Sequence, residues 1–340
     1  HSFDFPSITI VFSQKNNENN DDFLLSALNG YLMYIQKVPI SKFRILILFS
    51  GLLSSNALNL ISRIIRHGGN VSLSNSIRSS KGIHKIHGNN ALPVISLHSI
   101  SLNLPNLAYQ SNKDETYFRT KLALLLKPSL NTLISKRDMI FDNVIKGLLP
   151  GLSSPLDFPK SGCTNMLVNL TGLKESIFDI LGFNYKETGL EIIDKVVKTA
   201  NDVVSNLDKR NYEYFGISII NDSSSTRFAK LDAEKFGKLS HSFGSYSQGV
   251  IITKKDMEDK NSLGRNLLLL DDVLTGGLSI KLDVTSLDLD DSINLLSQSI
   301  DSIPFFNIFN RQVMCNTCGS KILDNGTCPI CRSNNELTLA

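Results

Sequence analysis

Two Cys-x-x-Cys pairs near the C-terminus constrain this chain more than any other feature of its sequence. The first pair is Cys315 and Cys318, the second is Cys328 and Cys331, and nine residues separate them. Each pair forms a tight knuckle whose sulfurs face one point, so the two knuckles predict a closed tetrahedral four-sulfur site that suits zinc. A redox dithiol pair and an iron–sulfur cluster are the alternatives. Because a closed site keeps no open position for water, the motif indicates a structural role.

Composition narrows the class of protein but not its function. The chain has 340 residues, of which 41% are hydrophobic and 20% charged, which is an ordinary globular balance. Its net charge of +3 is too weak to indicate nucleic-acid or membrane binding. The longest apolar stretch, Ile45–Leu60, is too short and too polar to span a bilayer, and no basic-then-apolar leader opens the chain. Since Cys163 is the one cysteine outside the two pairs, we expect a soluble protein of the reducing cytoplasm.

Strand and helix patterns alternate along most of the chain. A β-branched strand candidate at Ser7–Ser13 precedes an amphipathic helix over Phe23–Gln36, and the longest helical pattern runs from Asp114 to Gly147. We expect Pro128 to kink or split that helix, because proline removes a backbone donor. The segment Leu278–Val284 reads as one strand. This alternation favours an α/β layer or barrel over residues 1–310, followed by a zinc ribbon over residues 311–340.

The segment Asn70–Asn90 is rich in serine, has little periodicity and reads as a long loop, which in a compact domain is usually functional or disordered. His84 and His87 within it are either a metal-binding pair or part of a solvated loop. The glycines of Leu274–Gly277 either cradle a phosphate or form a turn before a strand. Three basic side chains of the long loop are a candidate RNA or phosphate contact: Arg78, Lys81 and Lys85.

Several stretches occur in the order found in one enzyme family. The chain resembles the C-terminal part of the large subunit of class III, oxygen-sensitive anaerobic ribonucleoside-triphosphate reductase. The resemblance covers about residues 70–332, and its fold would be a reduced form of that family's ten-stranded α/β barrel with a C-terminal zinc ribbon. The matching stretches are "GNNALPVISLHSISLNLPNLAY" (Gly88–Tyr109), "MLVNLTGLKESIFDILG" (Met166–Gly182), "SSSTRFAKLDAEKFG" (Ser223–Gly237), "LTGG" (Leu274–Gly277) and "FFNI…MCNTCG" (Phe305–Gly319).

The chemistry implied by the resemblance does not carry over. The family stores a radical on a glycine after the ribbon, but the nine residues that follow Cys331 here contain no glycine. The family also passes the radical to a cysteine on a finger loop, and residues 70–88 contain no cysteine. The family's Thr-Pro-Ala-Glu segment is replaced by Asp222–Ser225. Cys163 is a relocated radical cysteine or, more simply, a small core residue. We therefore assign no catalytic and no cofactor-binding residue beyond the zinc ligands.

Three hypotheses of function follow. The first is a non-catalytic relative of the reductase, in which barrel and ribbon form a scaffold that binds a protein or ribonucleoprotein partner. The second is one subunit of a split reductase, whose radical glycine and cysteine lie on another chain. The third is a zinc-ribbon factor associated with RNA, the ribosome or DNA.

Overall fold

The fold is described from a computed structural model. The structure describes residues 8–14, 21–37, 43–75, 95–149, 164–182, 187–211, 215–237, 244–259, 262–318, 321–322, 327–328, 330–333 and 336–339. Several sequence predictions fall outside these ranges. They concern the basic side chains Arg78, Lys81 and Lys85, the histidines His84 and His87, and Cys163.

Helices and strands alternate along the described residues, as the sequence predicts. The strands are β1 Ile8–Gln14, β2 Phe43–Phe49, β3 Asn70–Asn75, β4 Ile95–Asn103, β5 Thr164–Thr171, β6 Phe215–Ile219, β7 Val250–Ile252, β8 Gly277–Leu278, β9 Ile280–Asp283, β10 Phe305–Phe309, β11 Gln312–Cys315, β12 Lys321–Ile322 and β13 Glu336–Leu339. The helices are α1 Asp21–Lys37, α2 Ser55–Arg66, α3 Leu104–Ser111, α4 Glu115–Ile145, α5 Leu173–Leu181, α6 Glu187–Asn211, α7 Ser224–Phe236, α8 Lys254–Glu258, α9 Leu263–Leu268 and α10 Leu289–Ser302, and a 3-10 turn covers Leu269–Asp272. None of these helices combines the length and the apolar composition needed to cross a bilayer.

The chain divides into two compact units. Unit 1 comprises residues 1–79, 251–265 and 280–340, and unit 2 comprises residues 80–250 and 266–279. The boundary expected between residues 310 and 311 stays a prediction.

A six-stranded sheet, in the order β1-β2-β3-β10-β9-β7, forms the centre of unit 1. Strands β1, β2 and β3 run parallel to one another. Strand β10 pairs antiparallel with β3 and parallel with β9. Alternation along β2 buries Ile45, Ile47 and Phe49 on one face. The predicted loop Asn70–Asn90 is wrong at its start, because Asn70–Asn75 is the strand β3 between β2 and β10.

Unit 2 contains a parallel four-stranded sheet in the order β4-β5-β6-β8. Every residue of β6 is buried, as is usual for a parallel strand covered on both faces. Two glycines allow close packing between β6 and the residues just before β8. A Cβ atom on Gly216 would lie only 2.6 Å from the Cα of Gly276. The backbone N–H of Gly276 donates to the carbonyl of Ile217 at 2.8 Å. That segment is therefore a turn leading into a strand, and Gly276 has no backbone donor left for a phosphate.

Two further predictions are corrected. The split expected at Pro128 is wrong, because α4 is one continuous helix in which buried leucines on both sides of the proline hold it in place and Leu124, in the preceding turn, is exposed to water. The kink stays a prediction. The single strand expected over Leu278–Val284 is two short strands, since Leu278 pairs with Ile219 whereas Leu282 pairs with Ile308 of the other sheet. The described strands confirm an α/β fold with largely parallel sheets.

Candidate functional site

A small antiparallel sheet carries the cysteine motif. Strand β11 lies between β12 and β13, with Val313 opposite Ile322 on one side and Thr338 on the other. Cys315 ends β11, and its side chain is buried together with Ile322 and Cys328, against which Val313 packs. We call strands β11–β13 and the two cysteine knuckles the ribbon.

The ribbon brings all four predicted cysteines together. Their sulfurs lie within 4.8 Å of one another. The Sγ atoms of Cys315 and Cys331 are 3.5 Å apart, as are those of Cys318 and Cys328, so each close pair joins the two knuckles. Ligands about 2.3 Å from a tetrahedral zinc ion would be roughly 3.8 Å apart. The arrangement therefore fits a closed four-thiolate metal site.

Backbone hydrogen bonds shape the knuckles. The amide of Thr317 donates to the sulfur of Cys315 at 3.4 Å, and the amide of Cys318 lowers the pKa of Cys315. In the second knuckle the amide of Arg332 donates to the carbonyl of Cys328 at 2.9 Å, and Arg332 has a left-handed φ of 58°. Hydrogen bonding to the Ser333 amide lowers the pKa of the Cys331 thiol, but desolvation and the neighbouring sulfurs raise it to about 12 overall. A bound cation would relieve this opposition to ionisation, because zinc binds the thiolate form.

A second concentration of polar groups lies in unit 2, where the parallel strands β4, β5 and β6 end. In parallel sheets, ligands commonly bind at the carboxyl ends of the strands. Here the segment after β6 places Asp222 before the N-terminus of α7, and its carboxylate accepts hydrogen bonds from four side chains. The donors are Ser101 Oγ, Ser224 Oγ, Asn169 Nδ2 at 2.8 Å and Gln248 Nε2 at 2.5 Å.

Asp222 is held in its ionised form. Burial alone would raise the pKa of its carboxyl, but the hydrogen bonds from Ser101, Ser224 and Asn169 lower that pKa below its ordinary value. The fully buried Asn169 also bridges to the backbone of Ile220, donating to its carbonyl at 3.0 Å and accepting from its amide at 2.8 Å. The side chain of Asn169 thus extends the β5–β6 ladder by one step.

A second carboxylate, Asp232 on α7, is completely buried. It accepts hydrogen bonds from Asn103 Nδ2 at 2.9 Å, Asn106 Nδ2 at 2.5 Å and the hydroxyl of Tyr246 at 2.8 Å. Burial and the hydrogen bonds to Tyr109 and Asp232 raise the pKa of Tyr246 far above its usual range. We call Asp222, Asp232 and their donors the carboxylate network.

The two regions differ in how far the sequence predicts them. The four cysteines were predicted as a set, and the structure brings them together. The segment Asp222–Ser225 follows the carboxyl end of β6. Asp232 and Asn169 were not predicted as site residues. One signal was available for Asn169, because it interrupts the apolar run Met166–Leu170 of a buried strand.

The whole chain, residues 1–340, matches the family model described as anaerobic ribonucleoside-triphosphate reductase. This chain belongs to that family. No curated protein matches the chain.

Solved reductase structures share the fold. The anaerobic ribonucleotide reductase from Thermotoga maritima in complex with dATP and CTP has a TM-score of 0.67 and 18% identity, with 93% of this chain and 55% of that chain covered. The same enzyme with MES in the active site has a TM-score of 0.68 and 16% identity, with 98% of this chain and 62% of that chain covered. A further solved structure of an anaerobic ribonucleotide reductase has a TM-score of 0.68 and 17% identity, with 97% of this chain and 57% of that chain covered. The chain therefore spans about 55% to 62% of the length of these reductases.

Proposed function

We propose that this member of the reductase family is non-catalytic and serves as a zinc-containing scaffold that binds a protein or ribonucleoprotein partner. In this proposal the two larger sheets belong to a reduced form of the family's ten-stranded barrel. Zinc occupies the ribbon through Cys315, Cys318, Cys328 and Cys331, and the protein resides in the reducing cytoplasm, where thiolates persist.

The carboxylate network is the observation that carries the proposal. A catalytic carboxylate that moves a proton near neutral pH needs a pKa raised towards 7 and a reacting group within reach. Asp222 has the opposite character, because its pKa is lowered and neighbouring donors occupy its oxygens. Asp232 is likewise enclosed by three donors. Side chains at the carboxyl ends of the strands thus bind one another, which supports a structural role.

The distribution of cysteines supports the same proposal. The five cysteines are Cys163 and the four of the ribbon, so residues 70–88, where the family resemblance places the radical cysteine, contain none. A serine hydroxyl is no substitute, because an alkoxyl radical is far costlier to form than a thiyl radical. The family match extends over the ribbon as well, so the ribbon needs no separate origin in a nucleic-acid-binding factor.

The decisive experiment is attempted activation under anaerobic conditions. The purified protein is mixed with a radical-activating enzyme, S-adenosylmethionine, a reductant and a ribonucleoside triphosphate, with a complete anaerobic reductase as positive control. We expect no glycyl doublet in the electron paramagnetic resonance spectrum and no deoxynucleotide. Deoxynucleotide formed by the chain alone would overturn the proposal, and deoxynucleotide formed only after a second polypeptide is added would establish the split enzyme.

The partner contact has its own test. We propose that Arg78, Lys81 and Lys85 contribute to it, as basic side chains of a segment rich in serine. The endogenous protein is captured with and without ribonuclease, beside a variant in which these three residues are alanine. Loss of the same co-purifying species from the variant supports the contact. An unchanged set of co-purifying species would remove these residues from the proposal.

A further inference from the structure

A groove of about 320 Å³ lies in unit 1 beside the ribbon. One wall is the C-terminal half of α2, and another is the segment from β9 to the N-terminus of α10. The link between β10 and β11 and the ribbon residues Val313 and Ile322 complete it. The groove is separate from the carboxylate network, which belongs to unit 2. Its volume falls at the lower end of the range for small-molecule pockets, about 300–1,000 Å³.

Two exposed arginines line this groove from different elements. Arg66 ends α2, and Arg311 lies in the β10–β11 link. Within the described part of the chain, neither guanidinium forms an ion pair. The backbones that carry them are fixed, because the amide of Arg311 donates to Thr285 Oγ1 at 3.0 Å and Gln312 Nε2 donates to the carbonyl of Arg66 at 3.4 Å. Two guanidinium groups with this placement favour a phosphate, whose oxygens match their donors.

Ser62 lies in the wall of the groove with an unpaired hydroxyl. It lines the groove, is only 5% exposed, and its hydroxyl has no hydrogen-bond partner among the described residues. Helical serines elsewhere in this chain, such as Ser292 and Ser299, donate to the carbonyl four residues earlier. Ser62 sits in the same kind of position on a helix without making that bond. The hydroxyl oxygen is itself buried, so in this side-chain orientation it offers no direct contact to a ligand in the groove.

Asp288 gives the groove a preference among anions. One oxygen of its carboxylate accepts from the amide of Asp291 at 2.7 Å, which caps α10. The carboxylate lines the groove and repels a bare anion, but it can accept hydrogen bonds from hydroxyl groups. A ligand that joins a phosphate to neighbouring hydroxyls therefore suits the groove better than inorganic phosphate.

We propose that this groove binds a small phosphate ester carrying free hydroxyl groups, with the phosphate between Arg66 and Arg311 and the hydroxyls on Asp288. The inference goes beyond the scaffold role and does not depend on it. The free sugar phosphate and the corresponding part of a nucleotide share this chemistry. The ribbon supplies the apolar end of the groove through Val313 and Ile322, which pack against Cys315 and Cys328.

The test is calorimetric titration of the full chain with ribose 5-phosphate, AMP and inorganic phosphate. We expect ribose 5-phosphate to bind at least about tenfold more tightly than inorganic phosphate. Arg66→Ala and Arg311→Ala should each weaken binding by about tenfold or more, because each removes a charge-assisted contact. The matched control is Arg63→Ala, an exposed arginine one turn earlier on α2 that does not line the groove.

Each outcome decides the proposal. Tighter binding of AMP than of ribose 5-phosphate would show that the groove also binds the base and would assign it to nucleotides. Equal affinity for the two compounds would show that the groove binds only their shared sugar phosphate. Equal affinity for ribose 5-phosphate and inorganic phosphate would show an adventitious ion only and overturn the proposal. So would a loss in Arg63→Ala as large as in Arg66→Ala, or the absence of saturable binding up to about 5 mM.

Discussion

The ribbon and the carboxylate network both gather polar side chains, but by opposite chemistry. The ribbon brings together four sulfurs, each of which as a thiolate repels the others. The network surrounds the carboxyl groups of Asp222 and Asp232 with side-chain donors from within the protein. The four sulfurs of the ribbon are therefore placed to bind a cation from outside the chain, whereas the acceptors of the network already have donors within the protein. The two regions therefore differ in the source of the groups that balance them.

The largest effect that we expect is the loss of bound zinc after substitution of a buried cysteine of the ribbon. Cys328→Ser should reduce bound zinc from about one ion per chain to near zero, because even loss of a residue that only supports a ligand weakens metal binding by about 10–100-fold. Elemental analysis of the purified protein measures it. Cys163→Ser is the matched control, and we expect its zinc content to be unchanged and its loss of stability to be on the order of 1 kcal/mol or less. Iron in place of zinc, or four free thiols without metal, would contradict the assignment.

Chelation of the metal should have a local effect. Most of the core lies in the α/β sheets, whereas among the described residues the ribbon cluster contains Val313, Ile322 and two cysteines. We expect removal of zinc to release the ribbon while the helical circular dichroism signal persists. Binding in the groove should weaken too, because Val313 and Ile322 line it. Loss of the helical signal at the same chelator concentration would show that the two regions fold as one.

The second-largest effect is expected inside the network. Asp232→Ala removes the acceptor of three hydrogen bonds and leaves Asn103, Asn106 and Tyr246 without it. Leaving these three donors unpaired should lower the free energy of unfolding by about 3–5 kcal/mol. Urea denaturation measures the change. Glu234→Ala, on an exposed position of the same helix, should stay within about 0.5 kcal/mol of the parent. If Asp232→Ala changes the free energy of unfolding only slightly, the three donors do not depend on Asp232 as their acceptor.

The same contrast explains what the sequence could predict. The cysteine spacing is local, so four residues near one another in the chain identify the site. The network combines Ser101, Asn169, Asp222 and Gln248, which are distant in sequence and meet only because parallel strands end at one edge. The positions of individual helices were predictable from periodicity, as the helices α1 and α4 show. The division of Leu278–Val284 between two sheets did not, because strand partners are chosen by tertiary pairing and not by local pattern.

A smaller and pH-dependent effect is expected at Asp222. The pKa of its carboxyl is lowered in the folded state, so the stability that it contributes is present above its ordinary value of 3.8 and is lost as pH falls through the lowered pKa. Asp222→Asn should cost about 1–2 kcal/mol near pH 7, since an amide N–H2 would face donors in a partly exposed site. The difference in the free energy of unfolding between the parent and the Asp222→Asn variant should be constant between pH 7 and about pH 5 and should shrink below pH 3.8. Urea titrations at several pH values measure it, and a gap that widens in acid would reverse the assigned sign.

The smallest effect is expected from a single donor of the network. Ser101→Ala deletes one hydroxyl that donates to Asp222 and leaves the donors Asn169, Ser224 and Gln248. Stability should fall by about 0.5–1.5 kcal/mol, the usual net contribution of one hydrogen bond. The pKa of Asp222 should rise towards its ordinary value, because a donor to the charged form is lost. An NMR titration of the carboxyl separates this from a packing effect, which would change stability without moving the pKa. Ser96→Ala, an exposed change on the same strand, should leave the titration of Asp222 unaltered.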